Sequence, residues 1–211
     1  LKGAAVAAPA VAAAGAWDAW GQPRGRQTPR WDREADVVIL GTGFAGLAAA
    51  ITAHDAGAKV LVLEKMTREH EGGNSRVSGN MWWTPTNLPE ALQHMEALSN
   101  GLTDKESIRA LAEAMMGLNE WLAKMGVKAA PLGIFQPEHP ELPGAACVRT
   151  WSNSGAGDGK LWIPIRGEVE KRGIEVLYET PAVDLVLSPS SREVLGVRAT
   201  AAGKPIAIGA R

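Results

Sequence analysis

Cysteine is nearly absent from these 211 residues. Cys147 stands alone, which excludes an internal disulfide framework and any multi-cysteine metal centre. The four histidines, His54, His70, His94 and His139, show no metal-ligand spacing. A surplus of charge of either sign is also missing, with 22 lysines and arginines against 23 aspartates and glutamates. That balance gives no electrostatic reason to expect nucleic acid or an anionic membrane surface as a partner. No apolar run is long enough to be read as a transmembrane segment. What remains is a globular composition, 45% hydrophobic, enough for a sizeable core in one large domain or two small ones. Cys147 is read as an ordinary thiol.

The two ends differ from the middle. Residues 1–16, LKGAAVAAPAVAAAGA, are small and apolar and close with Ala14-Gly15-Ala16, the A-x-A form of a signal-peptidase site. They are read as the remnant of an export signal cleaved before Trp17. The stretch is similar to the part of a twin-arginine signal that follows the arginine pair, where Phe-Leu-Lys is common; Leu1-Lys2 would be its last letters. An exported, periplasmic protein is the expectation, and a cytoplasmic protein with an Ala/Pro-rich tail is the alternative. Residues 17–35 hold Gly21, Pro23, Gly25 and Pro29 without periodicity, which predicts an extended leader and an ordered domain starting near Asp36. At the other end KPIAIGAR reaches Arg211 as a strand with no closing turn, and the chain is read as a fragment.

Between these ends, Val37 to Leu40 is a continuous apolar run, expected for a strand buried on both faces. Gly41-Thr42-Gly43-Phe44-Ala45-Gly46 follows directly as GxGxxG. In that pattern Gly41 permits the tight turn, Gly43 removes a side chain that would block a pyrophosphate, and Gly46 lets the helix lie close to the strand. The helix opening there points free N–H groups and its positive dipole end at the phosphates. Leu47 to Ala56 is alanine-rich, with Ile51 inward and Gly57 at its end, and Lys59 to Leu63 predicts a second strand ending at Glu64. Glu64 stands 18 residues after Gly46, where a carboxylate can accept from both ribose hydroxyls of an adenosine and where a 2′-phosphate would be unwelcome. Strand, glycines, helix, strand and acid in register are far more specific than GxGxxG alone.

Such a unit serves nicotinamide and flavin dinucleotides alike, so the segment beyond Glu64 and Lys65 must separate them. It contains Gly72-Gly73-Asn74-Ser75 and then Ser78-Gly79-Asn80. A second glycine pair this close to the acid can offer backbone N–H groups to a pyrophosphate and ribityl chain, with Asn74, Ser75 and Ser78 as polar partners. That suits FAD better than NAD. GxGxxG, the acid and GGNSRVSGN together resemble the flavoprotein family of fumarate reductase and succinate dehydrogenase, which includes flavocytochrome-type fumarate reductases, urocanate reductases and 3-ketosteroid dehydrogenases. Members carry Gly-Gly-Asn-Thr/Ser and then Ser-Gly-Gly. Asn80 replaces the last glycine here, a change that asparagine accommodates if its φ is positive.

The resemblance implies an α/β fold over residues 36–211, a Rossmann-like FAD-binding domain with a parallel sheet and a small antiparallel meander, ending before a capping domain. It implies FAD, held through residues 41–46, Glu64, Lys65, Gly72 to Ser75, Ser78 and Gly79, with Val183 beside the adenine. It also implies hydride transfer between the flavin and a substrate C–C bond next to a carbonyl or carboxylate. The implied partners are a small molecule, a carboxylate or a ketosteroid, and an electron-transfer partner. The family's substrate-polarising residues and proton-donating arginine lie in later segments, so no catalytic residue is nominated. A non-catalytic dinucleotide-binding module and an NAD-dependent dehydrogenase are the alternatives. Gly72→Val with Gly73→Val is expected to lose flavin and keep the fold.

Apolar spacing further predicts a helix over Leu88 to Leu98. Thr103 with Glu106 forms a capping box for another, whose single stripe of Ile108, Leu111, Met115, Leu118, Leu122 and Met125 ends at Gly126. His94 is expected to be exposed or capped, and Trp82-Trp83 to be core. Residues 128–159, rich in proline and glycine, predict a long loop, which the resemblance implies packs near the cofactor, and GAGDGK within it lacks the features of a phosphate loop. The resemblance implies a helix over Leu161 to Lys171, which Pro164 and Gly167 weaken, so it is expected to be kinked or to start late. Four runs from Ile174 onward predict strands, the first joining the parallel sheet and the rest forming the meander, with turns at 188–192 and 201–204.

Overall fold

The computed structural model describes residues 30–133, 137, 139–153, 161–191 and 193–211. The stretch read as an export-signal remnant, most of the stretch read as a leader and the GAGDGK segment lie outside the described residues. The central sheet is parallel, in the order β2 (Val37–Leu40), β3 (Val60–Leu63), β7 (Glu175–Leu177). Strand β3 is buried at every position because its alternating side chains serve two cores. Val60 and Val62 meet Leu47, Ala50 and Ile51 of α1 (Phe44–Asp55), and Trp162, Ile165 and Val169 of α6 (Trp162–Lys171) complete that layer. Leu61 and Leu63 meet Val197, Ala199 and Ile208 on the opposite side. Strand β2 departs from the expectation of burial on both faces. It lies at the edge of this sheet, and Leu40 is 50% exposed where it borders the cleft described below.

The second core is roofed by the expected antiparallel meander, β8 (Ala182–Leu187), β9 (Val194–Ala201) and β10 (Lys204–Gly209). Ala202 and Gly203, at φ 47° and 74°, close the β9–β10 hairpin with the two positive-φ residues that a tight type I′ turn requires. The last residues of the stretch read as a leader are tied to this sheet. Strand β1 (Arg33–Glu34) pairs in parallel with β10, and Asp32 accepts the Ala207 N–H at 2.8 Å. The Trp31 ring covers Gly196 and Gly209, where a Cβ would come within 2.9 Å of it.

A third sheet, ordered β4 (Trp82–Pro85), β6 (Val148–Asn153), β5 (Ala129–Pro131), replaces part of the loop expected over 128–159. The run VRTWSN supplies the β-branched and aromatic residues that fit a half-buried sheet. This sheet carries α3 (Leu88–Ser99) and α4 (Lys105–Met116) over a core of Ala91, Met95, Ile108, Ala112 and Cys147. Burial pushes the Cys147 thiol up. Trp82 and Trp83 pack against separate cores.

Three local expectations are corrected here. The cap of α4 is Asp104, which accepts the Ser107 N–H at 2.8 Å, rather than Thr103. The stripe expected on one helix is split at Gly117 into α4 and α5 (Leu118–Lys124). Ile108 then serves the third core and Leu122 and Met125 the first, while Leu111 stays 54% exposed. His94 is buried rather than exposed, with Nδ1 at 3.3 Å from the Pro143 carbonyl and its ring edge-on to Trp83. Helix α6 begins one residue later than Leu161, with Pro164 in its first turn, where the missing N–H has no partner to lose. No helix among the described residues is long and apolar enough to cross a membrane.

Candidate cofactor site

The carboxyl ends of β2 and β3 and the segment after β7 open into a cleft of about 410 Å³. Its walls are residues 40–43, 63–66, 72–75 and 180–182. Crevices of this kind, at the carboxyl ends of parallel strands, are where open α/β sheets bind ligands.

The first wall follows from the glycines. Gly41 takes φ 93° and donates its N–H to the Leu63 carbonyl at 2.7 Å, which turns the chain sharply out of β2. A Cβ at Gly46 would strike the Gly41 carbonyl oxygen, so only glycine lets α1 start this close to the turn. Gly43 has ordinary extended backbone, φ −70° and ψ 175°, and needs to be small for another reason: its Cβ would stand 3.2 Å from Ser75 Oγ. Helix α1 opens with no side-chain cap from Gly43 and no acid in its first turn, the arrangement that favours an anion. Ser75 Oγ accepts the Phe44 N–H at 3.0 Å, bringing the second glycine-rich segment against that helix end.

Glu64, 5% exposed, forms the polar floor. Its Oε2 accepts from the Thr42 N–H at 3.0 Å and from the Thr42 hydroxyl, and its Oε1 accepts from the Met66 N–H at 2.9 Å. Lys65 is exposed at the rim. The segment after Lys65 contains one turn of helix, α2 (Gly73–Val77), entered through Gly72 at φ 94° and Gly73 at φ 50°. Gly72 is pinned from behind: its Cβ would fall 2.7 Å from the Trp162 ring. Trp162 also donates its indole N–H to the Thr42 carbonyl at 2.8 Å, and Arg76 stands 5.4 Å over its ring centroid. One aromatic side chain therefore backs both glycine segments.

Asn80 has the positive φ that its place in the motif calls for, 54°. It is buried and its Oδ1 accepts the Leu161 N–H at 3.1 Å, a bond that glycine would not make. Asn80→Ala should destabilise more than Asn80→Gly. Both lose that bond, at about 1 kcal/mol, but alanine adds the cost of left-handed backbone, roughly 1–2 kcal/mol. Chemical unfolding of the three proteins checks the order; equal losses would remove the role of the backbone.

Of the residues nominated from sequence, Gly41, Thr42, Gly43, Glu64, Lys65, Gly72, Gly73, Asn74 and Ser75 line the cleft. Phe44, Ala45 and Gly46 form the start of α1 behind it, and Ser78 and Gly79 lie beyond α2 outside the lining. Val183 lies outside it too, in β8 and 42% exposed, while Thr180, Pro181 and Ala182 form the wall beside it. That wall and Met66 were not nominated. The rule that ligands gather beyond the carboxyl ends of parallel strands would have indicated 180–182 once β7 was placed in the sheet.

A buried ionic network behind the cleft was also unforeseen. Arg166 of α6 donates Nε to both Glu71 oxygens, at 2.9 and 3.1 Å, and an NH2 group to the Tyr178 hydroxyl at 2.6 Å. Tyr178 donates to Glu71 at 3.0 Å. Burial opposes the Arg166 charge, but the bonds to Tyr178 and Glu71 outweigh it and raise the guanidinium pKa. Burial likewise pushes the Tyr178 phenol up. Glu71 immediately precedes the glycine pair and Tyr178 leads into the 180–182 wall, so this network joins two walls of the cleft to one helix.

Comparison with known proteins agrees with this geometry. Residues 36–211 match the family described as FAD binding domain. The acrylate reductase flavoprotein subunit of Shewanella woodyi is 28% identical over 184 residues, covering 82% of this chain and 33% of its own length. NADH:fumarate oxidoreductase of Klebsiella pneumoniae is 33% identical over 176 residues, covering 77% and 18% respectively. In three dimensions, the 3-ketosteroid-Δ4-(5α)-dehydrogenase of Rhodococcus jostii RHA1 superposes with a TM-score of 0.73 at 26% identity, over 90% of this chain and 47% of that one. The chain thus spans a third or less of the length of these curated relatives.

Proposed function

This chain belongs to the FAD binding domain family, and from that premise we propose that it serves as the flavin-binding part of an oxidoreductase acting on an activated C–C bond. The observation that carries the reading is the cleft itself. Gly43 lets Ser75 close against the start of α1, Glu64 lies on the floor, and Gly72 to Ser75 form the third side. These features fit a dinucleotide with a long second half. An NAD-dependent dehydrogenase would have no evident use for the wall formed by 72–75.

FAD bound there would supply a flavin that takes or gives a hydride. The chain's own residues bind and orient it. Free backbone N–H groups at the start of α1 would face its phosphates and Glu64 would accept from its adenosine ribose, while Trp162 holds both glycine segments in place. The substrate class follows from the relatives, whose names join an acrylate, a fumarate and a 3-ketosteroid. We read the substrate as a C–C bond, double or single, adjacent to a carboxylate or ketone. The test is to reduce the flavin of the full-length protein anaerobically and add fumarate, acrylate or a 3-keto-4-ene steroid. Reoxidation by one of them is expected. Reoxidation by quinones or disulfides alone would overturn the reading.

Export rests on residues 1–16. Sequencing the N-terminus of the protein recovered from its native host is expected to begin at Trp17; a mature protein retaining Ala14 to Ala16 would remove the export reading.

A further inference from the structure

Glu64 is nearly filled by the protein itself. Of the roughly four acceptor positions on a carboxylate, three are taken by the Thr42 N–H, the Thr42 hydroxyl and the Met66 N–H. One remains, on Oε1. The Thr42 hydroxyl cannot readily turn away to free another. It is 1% exposed and its oxygen accepts the Gly72 N–H at 2.9 Å, which leaves its single proton for Glu64. The result is a directed chain, Gly72 N–H to Thr42 O–H to Glu64, in which each bond polarises the next. The Thr42 carbonyl is held as well, by the Trp162 indole at 2.8 Å.

We propose that Thr42 is a positioning residue that locks Glu64 to the Gly72–Gly73 turn and leaves the acid one open acceptor, so that a single ribose hydroxyl binds it rather than both. This inference rests on the FAD reading and narrows it. The acid and the glycine pair act as one unit, and an ordered Gly72 turn is a condition for a correctly oriented Glu64. A threonine in the second place of GxGxxG thereby becomes a determinant of how the adenosine end is recognised.

The test uses the full-length protein, stripped of flavin and titrated with FAD and with FAD lacking either the 2′- or the 3′-hydroxyl of the adenosine ribose. Binding is read by quenching of flavin fluorescence. Removing one hydroxyl is expected to weaken binding about tenfold, the loss of one hydrogen bond, while removing the other changes it by less than about twofold. Thr42→Ser should keep both the affinity and this asymmetry. Thr42→Val should weaken FAD binding and abolish the asymmetry, because Oε2 is then open to the second hydroxyl. Equal losses for the two analogues on the unmutated protein would overturn the proposal, as would a folded Thr42→Val protein that binds FAD and both analogues like its parent. The analogue comparison needs no variant to fold. Failure of the unmutated protein to bind FAD at all would instead remove the family-based reading beneath it.

Discussion

Gly43→Val is expected to strip the protein of FAD while leaving it folded. The backbone at Gly43 is extended, φ −70° and ψ 175°, a conformation that valine prefers. The new Cβ meets only Ser75 Oγ, at 3.2 Å, and the Gly72 carbonyl at 3.9 Å, and a serine side chain can shift by a few tenths of an ångström. The added methyl groups fall between the start of α1 and α2, where the phosphate-facing backbone lies. A loss of at least about 100-fold in FAD affinity is expected, close to 2.7 kcal/mol, with the unfolding midpoint of the flavin-free protein unchanged. Affinity within a few-fold of the parent would mean that the cleft holds its ligand elsewhere. The double change Gly72→Val with Gly73→Val, expected from sequence to spare the fold, does not isolate binding in this way. Gly72 has φ 94° and its Cβ would be driven into Trp162 and Arg76, so flavin loss there would follow from a disrupted turn.

Arg166→Met should cost the most stability of any single change considered. The Arg166 and Glu71 side chains are only 8% and 4% exposed, so removing the guanidinium leaves a buried carboxylate without its countercharge. Losses of about 3–5 kcal/mol are usual for such a break, a large part of the ~5–15 kcal/mol that holds a domain together. For a domain of this size that corresponds to a fall of roughly 6–20 °C in Tm. Glu71→Gln combined with Arg166→Met should recover much of it, since no charge is then stranded. Thermal melts of the single and double variants decide the matter. A single variant that melts with the parent would show that water reaches Glu71 and that the network does not brace the cleft.

The part of the site that could be read from sequence is the part built by neighbours in sequence. The β2–α1–β3 unit, its three glycines and Glu64 are fixed by local periodicity and by glycine-specific geometry. The strands after Ile174 carry the same kind of signal, and the positive φ of Asn80 followed from the family motif that GGNSRVSGN resembles. Pairs made at long range left no such trace. Glu71 and Arg166 are 95 residues apart, and each alone reads as a solvated charge. His94 gave no sign of burial because its partners, Pro143 and Trp83, come from other segments. Gly117 was passed over because the apolar stripe continues through it. The break becomes visible only when Ile108 and Leu122 prove to serve different cores. The strands β5 and β6 were hidden in a proline- and glycine-rich stretch because their stability comes from pairing with β4 and each other.

The most direct test of a flavin cleft is the absorption spectrum of the purified full-length protein, followed by identification of the cofactor released on denaturation. The expected result is a flavin spectrum with FAD in the supernatant, one per chain, lost in the Gly43→Val protein. A colourless, folded protein that takes up NAD and not FAD would contradict it.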